Sequence, residues 1–264
     1  MKSKFMFGMI AIIASLVVNS CGSSDIRQNV SAEERFELGK KKFTDGDYLD
    51  AIGEFEIVKL QFPGSSVADD AQFYLGESHY RQNEYLVAAE EYQALKRNMP
   101  ASSLIPRAQF QIGMCFYNLS PESPLDQIHT RRAIDEFQTF IEYNPTDSLV
   151  RDAEAKIKEL TTRLAKKLYD AAELYMRIEY YKSATGYYDL VVEKYHDTPY
   201  AEPAQLGKVK SLVLRKKYDD AKQEVDKFLQ KYPESSSRDE ARSIRNDIEE
   251  RLKSKPSSLG SSLK

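Results

Sequence analysis

One phrase recurs along this chain and restricts its fold more than any other feature. Tyr-x-x-Ala stands at Tyr48 to Ala51, Tyr85 to Ala88, Tyr181 to Ala184 and Tyr218 to Ala221. Four residues after each of these alanines, and after Ala133, comes a large or branched apolar side chain: Phe55, Tyr92, Phe137, Tyr188 and Val225. That offset is one helical turn, so each alanine and its follower share a face. Twelve residues after the same five alanines lie Pro63, Pro100, Pro145, His196 and Pro233. Proline ends a helix because it has no N–H to continue the hydrogen-bond ladder. Upstream, Leu38-Gly39, Leu75-Gly76 and Ile112-Gly113 put a glycine in a preceding helix, where a second helix can approach closely. The repeating unit is therefore a pair of helices.

These residues resemble the tetratricopeptide repeat, whose pattern is Leu-Gly, then Tyr, Ala, Phe and Pro at fixed offsets. Five repeats are read at 32–64, 69–101, 106–146, 165–197 and 202–234. The expected fold class is all-α: a tetratricopeptide-repeat right-handed superhelix of five helix pairs, closed by a polar capping helix over Arg238–Lys253. Two departures from the register stand out. Gly113 precedes Ala133 by 20 residues instead of 12, which puts extra residues into the turn around 120–125. The interval from Ala133 to Ala184 is 51 residues, and its excess falls in a proline-free stretch with apolar residues at Ile157, Leu160, Leu164, Leu168, Ala172 and Tyr175. That spacing predicts one long helix. Ala171-Ala172 and Lys208-Val209 replace Leu-Gly in repeats 4 and 5. The organisation expected is repeats 1 to 3 over 32–146, repeats 4 and 5 with the long helix and cap over 147–253, and a disordered tail over 254–264.

The N-terminus speaks for an address. Lys2 and Lys4 precede 14 largely apolar residues from Phe5 to Val18, and Asn19, Ser20 and Cys21 follow. A basic start, a short apolar stretch and a small residue before the break make an export signal over 1–20, too short for a comfortable membrane span. Cys21 resembles the lipidated cysteine of the bacterial lipobox. Several acyl chains on it would anchor the protein durably without a spanning helix, with 21–31 as the tether. Cys115 sits in an apolar run and is expected to be a buried thiol, so no disulfide is expected. The 38 basic and 41 acidic residues give a net charge of −3, and removal of Lys2 and Lys4 with the signal lowers this by two, to −5. Such a balance offers no bulk attraction to phosphates, so no nucleic-acid partner is expected.

A lipobox, five such repeats, an insertion in the third and a long helix into the fourth together resemble the BamD family of the β-barrel assembly machinery. Gly46 through Ile52, Arg163-Leu164-Ala165-Lys166 and Tyr195-His196-Asp197-Thr198 carry the resemblance locally. It implies an outer-membrane lipoprotein on the periplasmic face. The implied scaffold docks on the POTRA domains of a BamA-type barrel insertase through its C-terminal repeats, and receives unfolded outer-membrane proteins on its N-terminal repeats. Family members place a basic docking residue on the second helix of repeat 4. This chain has Tyr187 there, and the docking region implied includes Tyr187, Tyr188 and Tyr218.

The first helices of repeats 1 to 3 carry a ladder of aromatics: Phe36, Phe73 and Phe110, then Phe43, Tyr80 and Tyr117. Between them fall Lys40, Glu77 and Met114. The ladder is either a packing seam or a groove for an extended chain, since flexible sulfur and amphipathic rings tolerate varied partners. Arg35, Gln72 and Gln109 occupy the neighbouring position usually filled by a large residue.

His79, His129 and His196 are all the histidines, and none lies at an i, i+3 or i+4 spacing from another. No metal, cofactor or enzymatic activity is expected from this pattern. Acidic pairs such as Glu33-Glu34, Asp69-Asp70, Glu90-Glu91 and Glu249-Glu250 read as solvated faces. Two other readings stay open: a tetratricopeptide lipoprotein coordinating cell-envelope division, and a SusD-like glycan-binding lipoprotein. The lack of Trp weighs against the second.

Overall fold

The computed structural model describes residues 30–254. Among them are eleven helices and no strand: α1 (Ala32–Asp45), α2 (Tyr48–Gln61), α3 (Ala68–Arg81), α4 (Tyr85–Asn98), α5 (Ile105–Leu119), α6 (Ile128–Tyr143), α7 (Val150–Arg177), α8 (Tyr181–Lys194), α9 (Ala201–Leu214), α10 (Tyr218–Lys231) and α11 (Arg238–Lys253). They form five helix pairs and a closing helix, so the fold is the all-α tetratricopeptide-repeat fold. The signal segment, Cys21 and the tail from residue 255 lie outside the described residues. The chain divides into two compact units, one ending at Ala71 and one beginning at Gln72.

In the first unit α1 packs on α2. A capping box opens α1: Glu34 N–H donates to Ser31 Oγ at 3.1 Å, and Ser31 N–H donates to Glu34 Oε2 at 3.0 Å. The second unit is a succession in which each helix from α4 to α11 packs on the next.

The turns are as regular as the helices. Within four of the pairs the first helix ends on one residue of positive φ, five positions before the repeat's alanine: Gly46 (88°), Asn83 (63°), Glu179 (62°) and Lys216 (58°). The left-handed conformation frees the chain to reverse at once, and only glycine adopts it without strain. Between pairs, the residue before the proline position leaves the helix with φ near −130°, at Phe62, Met99, Asn144, Tyr195 and Tyr232. Its carbonyl then accepts a turn bond from Ser65, Ser102, Asp147, Thr198 or Ser235. A residue before proline is pushed out of the helical region by the ring. Tyr195 makes the same break although His196 follows, and Thr198 bonds its carbonyl through both N–H and Oγ.

Both irregularities in the sequence register take the expected form. Helix α7 runs unbroken for 28 residues. The extra residues of repeat 3 form an ordered loop between α5 and α6, held by α7. Arg163 Nη1 donates to Ser120 O at 2.9 Å and Ser120 Oγ at 2.8 Å, and Lys167 Nζ donates to Leu125 O at 2.5 Å. Inside the loop the buried Gln127 amide donates to Glu122 O at 2.9 Å and Leu125 O at 3.1 Å.

Because Glu179 and Lys216 hold left-handed backbone that glycine adopts freely, Glu179→Gly and Lys216→Gly should each stabilise the chain by about 0.5–1 kcal/mol. Urea unfolding monitored by circular dichroism measures this; Asp45→Gly, one residue before the turn glycine of repeat 1 and inside α1, should destabilise instead.

Candidate protein-binding face

In repeats 1 to 4 the core of the pair is one ring pressed onto one small residue. Phe55, Tyr92 and Phe137 are fully buried, and a Cβ built on Gly39, Gly76 or Gly113 would stand 2.6 or 2.7 Å from the facing ring. Repeat 4 is built differently. Its first helix has Ala172 at the glycine position, in one cluster with Tyr188, and the Tyr188 ring also presses on Gly207 of α9, where a Cβ would come within 2.5 Å of Tyr188 Cζ. Repeat 5 has no ring here and pairs Val209 with Val225, both fully buried.

Two of these rings carry a hydroxyl, and each of those two repeats supplies a carboxylate for it. Tyr92 donates to Glu77 Oε1 at 2.7 Å, and Tyr188 donates to Glu173 Oε1 at 2.5 Å. Glu77 and Glu173 hold the same repeat position, directly after Gly76 and Ala172. Where the ring is Phe55 or Phe137, that position holds Lys40 or Met114. Burial, reinforced by the adjacent carboxylate, pushes both tyrosine hydroxyls well above the usual phenol range, so they stay protonated donors.

A second buried layer is polar. Three residues after the alanine, repeats 1, 2, 3 and 5 all carry glutamate: Glu54, Glu91, Glu136 and Glu224. Arg35 Nη1 reaches Glu54 Oε2 at 2.9 Å. Gln72 Nε2 donates to Glu91 O at 3.0 Å and Oε2 at 2.5 Å, and Gln109 Nε2 donates to Glu136 O at 2.9 Å and Oε2 at 2.7 Å. Burial opposes ionisation of Glu54, but hydrogen bonds from Lys42 and Arg35 outweigh it and hold the carboxyl below its usual range. Glu91 is therefore tied into the interior, which corrects its reading as part of a solvated pair. Glu33 and Glu34 are exposed as read, Glu34 in the capping box and Glu33 accepting from Ser66 Oγ at 2.9 Å. In repeat 4 the pair is apolar, Leu168 and Tyr187, both packed against the cluster around Tyr188.

The residues singled out in the sequence fall into two groups. Phe36 (6% exposed), Phe73 (1%), Glu77 (6%) and Tyr188 (1%) are buried and do packing work. Tyr187 is half-buried and stacks on Tyr175 with ring centroids 5.3 Å apart. On the first unit, half-buried Lys40 lies over Phe36 at 5.4 Å, and Phe43 meets the edge of Tyr48 at 5.4 Å. On the second unit Phe110 is half-buried against Phe137 and Phe140. Tyr80, Met114 and Tyr117 are half-buried along α3 and α5. Asn118 Nδ2 donates to Tyr80 Oη at 2.8 Å, Tyr117 Oη donates to the Glu159 carboxylate at 2.8 Å, and Lys156 Nζ lies 3.9 Å over the Tyr117 ring. These contacts fix the rings in orientation while leaving part of each face open. Tyr218 is half-buried on the α10 cluster, with Arg251 over its ring at 5.7 Å.

His79 Nδ1 pairs with Glu84 Oε2 at 2.6 Å. Among the described residues no three His, Cys, Asp or Glu side chains converge as a metal site would require. No described helix is long and apolar enough to cross a membrane.

The outer membrane lipoprotein family YfiO matches residues 28–204. The chain belongs to this family. It is the family that includes BamD, so the resemblance read from the repeats and lipobox holds at the level of the family. No curated protein matches the chain. Solved structures similar to it include the TPR2AB-domain:pHSP90 complex of yeast Sti1, 15% identical, covering 84% of each chain at a TM-score of 0.43. A tetratricopeptide-repeat protein of Parabacteroides merdae is 16% identical, covering 84% of this chain and 73% of that one at a TM-score of 0.36. A thermophilic one of Thermus thermophilus is 14% identical, covering 84% and 99% at a TM-score of 0.36.

If the tyrosine hydroxyl and the carboxylate belong together, Tyr92→Phe should cost about 1.5–3 kcal/mol by removing a donor from buried Glu77. Adding Glu77→Met, the partner used beside a phenylalanine in repeat 3, should restore most of that loss. Thermal unfolding of the two variants measures the difference.

Proposed function

We propose that this lipoprotein is a periplasm-facing scaffold of outer-membrane β-barrel assembly. In this reading it docks on the POTRA domains of a BamA-type insertase through its C-terminal repeats, and it offers aromatic side chains of its N-terminal repeats to unfolded outer-membrane proteins. Membership of an outer membrane lipoprotein family supports the location. The observation that carries the binding role is the contrast within the aromatic ladder. Phe73 is spent in the core, whereas Tyr80, Met114 and Tyr117 remain half-exposed, the two tyrosines held in place by polar neighbours. Rings fixed at the edge of an apolar surface bind an extended chain with little loss of side-chain freedom. On the first unit Lys40 and Phe43 offer the equivalent positions of repeat 1.

A photoreactive group at position 80 or 117 should crosslink to a peptide ending in the aromatic terminal strand of a barrel precursor. Absence of adduct at both positions, with the helical signal intact, would sink the reading. Lipid attachment at Cys21 has its own check: Cys21→Ala should move the protein from the membrane fraction to the soluble periplasmic one, and detergent-dependent fractionation that persists would refute the anchor.

A further inference from the structure

Repeats 3 to 5 keep their exposed apolar side chains in one place. Among the described residues, Leu125, Ile128, Leu174, Ile178, Tyr180 and Leu214 are large, apolar and exposed, Tyr180 at 65%. All six lie in, or within four residues of, the turn or loop that joins the two helices of a pair. Tyr143 alone in these repeats is exposed elsewhere. Leu174 and Ile178 are one helical turn apart and share a face at the end of α7. The turns of neighbouring repeats meet. Lys167 Nζ holds the repeat 3 loop at Leu125 O, two helical turns before Leu174. An open depression of about 330 Å³ has the repeat 4 turn, with Tyr180 and Lys182, on one side and Arg215 of the repeat 5 turn on the other. Arg215 Nη1 also donates to Thr185 Oγ1 of repeat 4 at 3.0 Å. The six side chains therefore follow one edge of the second unit.

The charge of this edge is opposite to that of the whole chain. Segments 177–183 and 214–220 carry Arg177, Lys182, Arg215, Lys216 and Lys217 against Glu179, Asp219 and Asp220, an excess of two positive charges in a chain of net charge −3. Arg177, Lys182, Lys216 and Lys217 are exposed, and none of them is in an ion pair among the described residues. Asp219 and Asp220 stand in the first turn of α10, where the helix N-terminus offsets negative charge. Apolar side chains spaced singly among long cationic ones suit a bilayer surface. The apolar tips enter the boundary of the acyl chains, tyrosine sits at headgroup level, and lysine and arginine reach back to anionic headgroups. A folded partner must match such scattered projections in shape, whereas a bilayer conforms to them. We infer that this edge rests on the surface of a membrane bearing anionic lipids. Membership of an outer membrane lipoprotein family keeps a bilayer within reach. The edge includes none of the residues proposed to bind precursors or to dock, and it acts without the Cys21 anchor, so it stands or falls separately from the proposed function.

The chain has no Trp, so a single introduced tryptophan reports its own surroundings. The test uses the chain from residue 21 on, which contains every described residue, with Cys21→Ala to remove the anchor. Ile178→Trp probes the edge, and Tyr143→Trp is the control away from it. Each protein is mixed with vesicles of equimolar phosphatidylcholine and phosphatidylglycerol, or of phosphatidylcholine alone. With the anionic vesicles, emission from position 178 should move to the blue and be quenched by lipids brominated in their acyl chains, while position 143 does neither. Phosphatidylcholine alone should bind roughly tenfold more weakly. Leu174→Glu with Ile178→Glu should weaken co-flotation with anionic vesicles by a similar factor at unchanged circular dichroism, and Lys182→Gln with Lys217→Gln should reduce the preference for phosphatidylglycerol. The tryptophan readings decide the matter even where a double variant fails to fold. No blue shift at 178, an equal shift at 143, or equal binding to the two kinds of vesicle would each overturn the assignment. So would a probe at 178 that ignores vesicles and responds to the purified insertase in detergent, which would give the edge to a protein.

Discussion

The architecture depends on a single contact repeated with variations: a ring from the second helix of a pair laid against a residue that has almost no side chain. A helix pair closes to the thickness of one ring only where glycine or alanine faces it, and every other element of the repeat serves that closure. The alanine one turn before the ring lets the backbones approach. The left-handed turn residue brings the second helix back at once. The break before the proline position releases the chain after fourteen residues or so, in time to start the next pair.

That contact is also why so much of the fold was legible in the sequence. Glycine, alanine and ring must sit at fixed offsets or the pair cannot close, so the offsets survive as a written pattern, and the same arithmetic located the loop of repeat 3 and the long α7. The polar layer was harder to read. Glu54, Glu91, Glu136 and Glu224 recur at one offset, yet a glutamate on a helix is usually a solvated residue, and only the facing Arg35, Gln72 and Gln109 give it an interior role. Their polarity was visible at a position normally filled by a large side chain; their partners were not. The aromatic ladder divided for a related reason. Positions 36 and 73 point between helices and positions 80 and 117 toward an edge, a distinction of burial that spacing alone does not carry.

Repeat 4 departs from the others in both layers at once. Its ring also rests on a glycine of the following repeat, and its interior pair is Leu168 with Tyr187 in place of a glutamate and its donor. Tyr187 stacks on Tyr175 and packs, with Leu168, against the cluster around Tyr188. Polar pairs are directional and fix one register, whereas apolar pairs hold through area. Repeat 4 is accordingly assembled by a different rule from the first three.

The seat of Tyr188 on Gly207 has a consequence for how the array comes apart. In a stack of repeats, stability is a sum of what each repeat holds by itself and what it shares with its neighbours. Rings lodged inside their own pair add to the first quantity. The Tyr188 ring, set in its own pair and also against Gly207, adds to both, so repeat 4 without α9 loses one wall of the socket that holds its ring. A cut after Lys194 would remove more than the repeat it deletes.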